Sequence, residues 1–151
     1  MDNVDKKILA LLQKDGKLSN AKLAEKLNMS ETPCWRRVKR LENDGYIESY
    51  QANLNKRKLG YGVLAFVQLT YTAHDTKTTS DFIDIIKHCD NVLSCHNITG
   101  GADFLLQVVA RDLDDYGNFV DAVLWKLPGI SDISSSISLK ELKSTARLPL
   151  D

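Results

Sequence analysis

No uninterrupted apolar run in this sequence approaches the roughly 20 residues that a membrane-spanning helix needs. Its opening, Met-Asp-Asn-Val-Asp-Lys-Lys, lacks the pattern of a secretory leader. A cytoplasmic protein with no membrane partner is therefore expected. Cysteine is scarce: Cys34, Cys89 and Cys95 are odd in number and mostly far apart, which argues against a disulfide framework and for reduced thiols. No Ser/His/Asp set, phosphate loop or carboxylate pair stands out. His88-Cys89 and Cys95-His96 invite a metal, but Cys95 and His96 are neighbours on a predicted strand and point to opposite faces. No second C-x-x-C or H-x-x-x-H supports them, so neither metal, cofactor nor catalytic residue is expected.

Net charge is absent as well, with 20 Lys+Arg against 20 Asp+Glu, yet the balance hides a split. Residues 1–58 hold 13 Lys+Arg against 8 Asp+Glu, or +5, and residues 59–151 hold 7 against 12, or −5. Segregation of this kind suggests a basic module for a polyanion joined to an acidic module with another task. At 151 residues, 43% hydrophobic and 26% charged, the chain can fill one large core or two small ones.

The basic module centres on Ser30 to Gly45, where Arg36, Arg37, Lys39 and Arg40 place four cations within five residues. Ser30 stands where a helix cap is expected, Pro33 falls in the first turn, and Gly45 sits where a helix would stop. At 100° per residue Cys34, Val38 and Leu41 form an apolar stripe, so that face packs on a core. Thr32, Arg36, Lys39 and Arg40 collect on the opposite side, with Trp35 and Arg37 on the flanks. That is the shape of a helix lying in a DNA major groove, weighed against a merely solvated basic face. Trp35, Trp125 and the tyrosines read as packing residues, and buried Cys34 as inert.

Upstream, Asn3 to Asp15 reads as a scaffold helix capped by Asp2 or Asn3 and ended by Gly16. A short helix from Ser19 or Asn20 carries Ala21, Leu23, Ala24 and Leu27, and turns at Asn28-Met29 into the Ser30 helix, which makes a helix-turn-helix. Tyr46 to Asn55 alternates apolar and polar residues and predicts a wing-like strand. The polar break Asn55-Lys-Arg-Lys-Leu-Gly then sets a domain boundary, giving 1–58 and 59–151.

The second half predicts a strand at Tyr61–Tyr71, a helix at Ser80–Cys89, a strand at Val92–Thr99, a Gly100-Gly101 turn and a strand at Phe104–Ala110. A helix at Leu113–Leu127 and a strand at Ile130–Leu139 complete it. The order β-α-β-β-α-β is the ferredoxin-like arrangement, so the whole is an α+β protein: an N-terminal winged helix-turn-helix and a C-terminal ferredoxin-like domain.

Several stretches together resemble the Lrp/AsnC (feast/famine) family of transcription regulators over essentially the full length. They are Leu-Ser-Asn-Ala-Lys-Leu-Ala-Glu at 18–25, Met-Ser-Glu-Thr-Pro-Cys-Trp-Arg-Arg-Val-Lys-Arg-Leu-Glu at 29–42, Gly-Tyr-Ile at 45–47 and Cys-His-Asn-Ile-Thr-Gly-Gly-Ala-Asp-Phe-Leu-Leu-Gln-Val at 95–108, with Leu-Pro-Gly-Ile at 127–130 and the Leu-Lys-Ser-Thr-Ala-Arg-Leu-Pro-Leu tail. The resemblance implies sequence-specific binding to double-stranded DNA in a nucleoid-associated homo-oligomer, a dimer assembling to an octamer. It also implies an amino-acid effector held between domains near a Thr-Gly-x-x-Asp turn, here Thr99, Gly100, Gly101 and Asp103; Ala102 stands where many relatives carry an aromatic residue. The residues themselves leave Asp103 open between receiving an ammonium group and capping its own turn. Ser135 offers a further hydroxyl, weighed against a plain solvent-facing segment. The candidate DNA contacts are Ser30, Thr32, Arg36, Arg37, Lys39 and Arg40. An architectural DNA-wrapping protein without effector response is the alternative, and a small ferredoxin-like enzyme a remote one.

Overall fold

Asp2 and Asp5 start the first helix by capping each other. The Asp2 carboxylate accepts the Asp5 N–H, and the Asp5 carboxylate accepts the Asp2 N–H, each at 2.9 Å. The structure, a computed structural model, describes residues 1–150. Helices α1 (Asn3–Lys14), α2 (Asn20–Lys26) and α3 (Glu31–Asn43) follow in turn. Ile8, Leu9, Leu23, Ala24, Cys34, Val38 and Leu41 form their shared core, which contains the predicted α3 stripe entire. The Ser19 hydroxyl caps α2 by accepting the Lys22 N–H, but Ser30, although at the cap position of α3, makes no such bond. At the other end the N–H groups of Gly45 and Tyr46 close on the carbonyls of Glu42 and Leu41, the paired bonds of a Schellman stop.

Two expectations about this unit change. Residues 46–55 contain no strand, because a lone alternating segment has no partner to receive its backbone groups, and none is supplied among the described residues. The alternation has another origin: Ile47 packs on the three-helix core, and the Tyr50 phenol donates to the Glu42 carboxylate at 3.0 Å. The second change concerns the tail, which the sequence assigns with the second domain. From Lys143 onward it groups with residues 1–53 instead. The reason is local: the Leu148 N–H donates to Gln13 Oε1 at 2.6 Å, Gln13 Nε2 donates to the Leu148 carbonyl at 3.2 Å, and Leu150 packs on the helical core.

The second unit, Leu54–Leu142, is built on strands β1 (Val63–Tyr71), β2 (Val92–Asn97), β3 (Phe104–Ala110) and β4 (Ile130–Ile137), antiparallel in the order β2-β3-β1-β4. Helix α4 (Thr76–Lys87) joins β1 to β2, and α5 (Leu113–Ala122) with a 3₁₀ turn at Leu124–Lys126 joins β3 to β4. This is the β-α-β-β-α-β order read from the sequence. Alternation along β1 sends Val63, Ala65, Val67 and Leu69 to one face, where Phe82 and Ile86 of α4 and Tyr116 and Phe119 of α5 cover them. Helix α4 starts four residues before the predicted Ser80, because the Asp75 carboxylate accepts the Thr78 N–H at 2.8 Å and caps an extra turn of β-branched residues. Strand β4 ends at Ile137, and Leu139 beyond it is 94% exposed.

The connection into β4 leaves no choice of residue at Gly129. Its φ is +81°, and a Cβ there would lie 2.4 Å from Cε2 of the Tyr71 ring.

Candidate functional site

Helix α3 presents three surfaces. Cys34, Val38 and Leu41 are buried, and burial pushes the Cys34 thiol up from its ordinary pKa. Thr32, Trp35, Arg36 and Lys39 stand outward on the far side, in the i, i+3, i+4, i+7 spacing of one helix face. Trp35 is 46% exposed and Trp125 53%, so neither tryptophan is the packing residue expected. Between core and outer face lie Arg37 and Arg40, and here the structure departs most from the sequence reading.

Both arginines are bound to carboxylates of the first helix. Arg37 Nη1 reaches Asp2 Oδ2 at 2.7 Å and Asp5 Oδ1 at 2.8 Å, and Arg40 Nη2 reaches Asp5 Oδ2 at 2.6 Å. Asp5 is the buried charged residue of the helical core, at 1% exposure. Burial raises its carboxyl pKa, but the Asp2 N–H and the two guanidinium groups outweigh that and hold it below the ordinary value. The backbone N–H of Asp5, then Arg37, lower the Asp2 carboxyl to about 2. Lys39 pairs with Glu42 at 2.7 Å, one turn along the same helix. Arg36 alone of the four cations makes no ion pair among the described residues. The six expected contacts thus fall into distinct settings. Thr32 and Arg36 stand open, Ser30 sits at the helix start, Lys39 and Arg40 are exposed but paired, and Arg37 is locked.

The sequence reading missed Asp2 and Asp5 as part of this site. An Asp-x-x-Asp pair at a helix start was visible as a capping box, but its meeting with cations 32 to 35 residues away was not.

The second candidate region is the hairpin between β2 and β3. Thr99, Gly100 and Gly101 are exposed, and Gly100 alone of the two glycines has a left-handed φ, +121°. Asp103 is half-buried and fully engaged on one side. Its Oδ2 accepts the Tyr71 N–H at 2.7 Å, its own N–H donates to the Leu69 carbonyl at 2.9 Å, and its carbonyl accepts from the Ile98 N–H and Asn97 Nδ2, both at 2.9 Å. Asp103 therefore caps backbone, tying the hairpin to the end of β1. Its other carboxylate oxygen accepts no hydrogen bond among the described residues. Tyr71 and Phe104, with Phe82 of α4, pack with ring centroids 4.7 to 5.7 Å apart.

Ser135 is not brought to this hairpin. It pairs with Val67 on the helix-covered face of β4, the edge strand opposite β2, and its hydroxyl meets the Tyr116 hydroxyl at 2.6 Å. Cys95 pairs with Leu106 and His96 with Leu105, on alternate faces of the sheet.

Residues 64–148 match the model of the Lrp/AsnC ligand binding domain, and residues 1–48 that of a winged helix-turn-helix DNA-binding domain. The chain belongs to the Lrp/AsnC family. It is 36% identical to the DNA-binding transcriptional activator DecR of Escherichia coli K12 over 151 residues, covering 100% of this chain and 99% of that one. It is 34% identical to the leucine-responsive regulatory protein of the same organism over 148 residues, covering 98% and 90%. A solved transcriptional regulator from Neisseria meningitidis, in complex with L-Met, superposes with a TM-score of 0.96 at 36% identity, covering 100% and 97%. As a member of the Lrp/AsnC family the chain is a DNA-binding transcriptional regulator with a helix-turn-helix followed by a ligand-binding-type α+β domain. No helix among the described residues is long and apolar enough to cross a membrane.

Proposed function

We propose that this regulator reads double-stranded DNA with the outer face of α3 and adjusts that binding to an amino acid held at the β2–β3 hairpin. The observation that carries the first part is that Arg36, alone of the four clustered α3 cations, makes no ion pair among the described residues and stands outward beside Thr32 in the first half of the helix. Recognition helices present their N-terminal half to base edges, so Arg36 suits bidentate contact with guanine and Thr32 a thymine methyl, with Ser30 at the helix start donating to backbone. Lys39 and Arg40, further along, suit phosphates. Arg36→Ala is expected to weaken binding to a selected duplex by about 1 to 3 kcal/mol while sparing binding to a random one, read by fluorescence anisotropy at one fixed salt concentration. Equal loss on both duplexes would return the protein to an architectural, sequence-blind role.

The free carboxylate oxygen of Asp103, beside the exposed Thr99-Gly100-Gly101 backbone, supports the second part, since a half-buried carboxylate is a fitting partner for an ammonium group. A similar regulator is known with L-Met. The open face of the sheet bears Leu64, Phe66 and Leu105, with Phe66 40% exposed, and suits self-association into dimers and larger assemblies. Two copies of α3 related by a two-fold axis would read a palindrome with half-sites about one DNA turn apart. The setting is cytoplasmic, on the nucleoid, with the helical unit as the DNA-binding part and the sheet unit, Leu54–Leu142, as the effector and assembly part. Light scattering across a panel of amino acids tests the effector: one of them should shift the mass, and none doing so would leave the hairpin a structural element.

A further inference from the structure

The buried carboxylate on α1 is the feature of the DNA-binding unit that a basic recognition helix does not by itself require. We propose that Asp5 is a positioning residue of the DNA interface, which holds the Arg40 guanidinium in the orientation that receives a backbone phosphate. The inference rests on α3 lying on DNA, and it assigns a role to a side chain that is not on α3 and is not exposed.

Three observations carry it. First, the two arginines bound to Asp5 are unequal. Arg37 Nη1 is shared between Asp2 and Asp5 and its side chain is 30% exposed, whereas Arg40 gives a single nitrogen, Nη2, to Asp5 and its side chain is 52% exposed. A guanidinium has five N–H donors in a fixed plane, so anchoring one nitrogen narrows the orientations that plane can take and leaves most donors for a second anion. Second, Asp5 cannot itself yield. Its carboxylate also accepts the Asp2 N–H, it is 1% exposed, and the capping box fixes it at the start of α1. Third, Arg40 lies in the C-terminal half of α3, flanking the buried stripe of Val38 and Leu41. On a helix whose first half meets the bases, that place faces the sugar-phosphate backbone.

The quartet Asp2, Asp5, Arg37 and Arg40 sums to zero charge, so it adds little to long-range attraction for DNA. Its contribution is geometric. An arginine free to rotate loses rotamer entropy when a phosphate captures it, and one already held by Asp5 has lost part of it on folding.

This gives a test in which positioning and simple electrostatics have opposite signs. Asp5→Asn keeps the shape but removes a negative charge near the interface, so electrostatics alone would tighten DNA binding. Positioning predicts that the full-length Asp5→Asn protein binds about three- to tenfold more weakly to selected and random duplexes alike. It also predicts that the loss vanishes when Asp5→Asn is added to Arg40→Ala. A folding defect would not be masked in that way, and stoichiometric titration at high duplex concentration measures the active fraction directly. Arg40→Lys is the companion variant: it keeps the charge, but one ammonium cannot hold Asp5 and a phosphate in fixed planar geometry, so the same loss is expected. Tighter or unchanged binding by Asp5→Asn, a loss that persists in the Arg40→Ala background, or wild-type binding by Arg40→Lys overturns the proposal. If Arg36→Ala also leaves binding unchanged, the placement of α3 on DNA has failed, and not only the role of Asp5.

Discussion

In the helical unit the buried carboxylate, Asp5, is satisfied by guanidinium groups from a helix more than 30 residues away. In the sheet unit one carboxylate oxygen of Asp103 accepts the backbone N–H of the neighbouring strand, and no charged residue among those described joins the buried core there. The difference shows which forces each unit relies on. Three carboxyl groups of the helical unit, Asp2, Asp5 and Glu42, are held below their ordinary pKa, each with a cation among the causes. In the sheet unit Asp75 is held below its ordinary pKa with no cation among the causes, chiefly by the Thr78 N–H at its helix cap. A three-helix unit with a small core gains from charge; a sheet covered by two helices is held chiefly by apolar packing and close fit.

The sharpest way to break that comparison is steric. Gly129→Ala forces a Cβ into the Tyr71 ring at a positive φ and is expected to destabilise the sheet unit by about 2 to 4 kcal/mol. Thermal unfolding followed by the near-ultraviolet signal of the tyrosines should show it, and an unchanged midpoint would mean that the β4 entry can shift freely. A smaller effect should separate the units by acid. Groups whose folded pKa is depressed stabilise above the unfolded value and lose that contribution as pH falls through the folded one. The Asp2 contribution should therefore decline from about pH 3.8 towards about 2. Amide exchange or proteolysis across that range should reach α1 to α3 before the sheet, and an order reversed would refute the division of forces. Smallest is Asp103. Its Ala variant should lose about 1 to 2 kcal/mol with the Tyr71 hydrogen bond, whereas Asp103→Asn can keep that bond through its amide oxygen while losing the charge. An amino-acid response abolished in Asp103→Asn with stability kept would separate ligand binding from hairpin structure.

Periodicity carried the element order well because it reports which face of each element is buried, and burial dominates folding. The α3 stripe of Cys34, Val38 and Leu41 and the whole of β3 were legible for that reason. The same signal misled at 46–55, since alternation says that side chains go to opposite sides but not whether a partner strand exists. It also missed the first turn of α4, where the Asp75 cap decides and β-branched residues obscure the period.

Side-chain partners lie beyond periodicity altogether. A row of cations is visible in any sequence, but which of them is neutralised depends on what another helix brings within 3 Å. The sequence by itself determined the two architectures, the core faces and the clustering of Arg36, Arg37, Lys39 and Arg40 on one helix, because these follow from local spacing and composition. Tertiary structure alone decided that Arg37 and Arg40 answer to Asp5, that Asp103 ties its hairpin to β1, that Ser135 faces Tyr116, and that the tail from Lys143 joins the helical unit. Hydrogen bonds and ion pairs form between atoms that folding brings together, at separations the chain order does not encode.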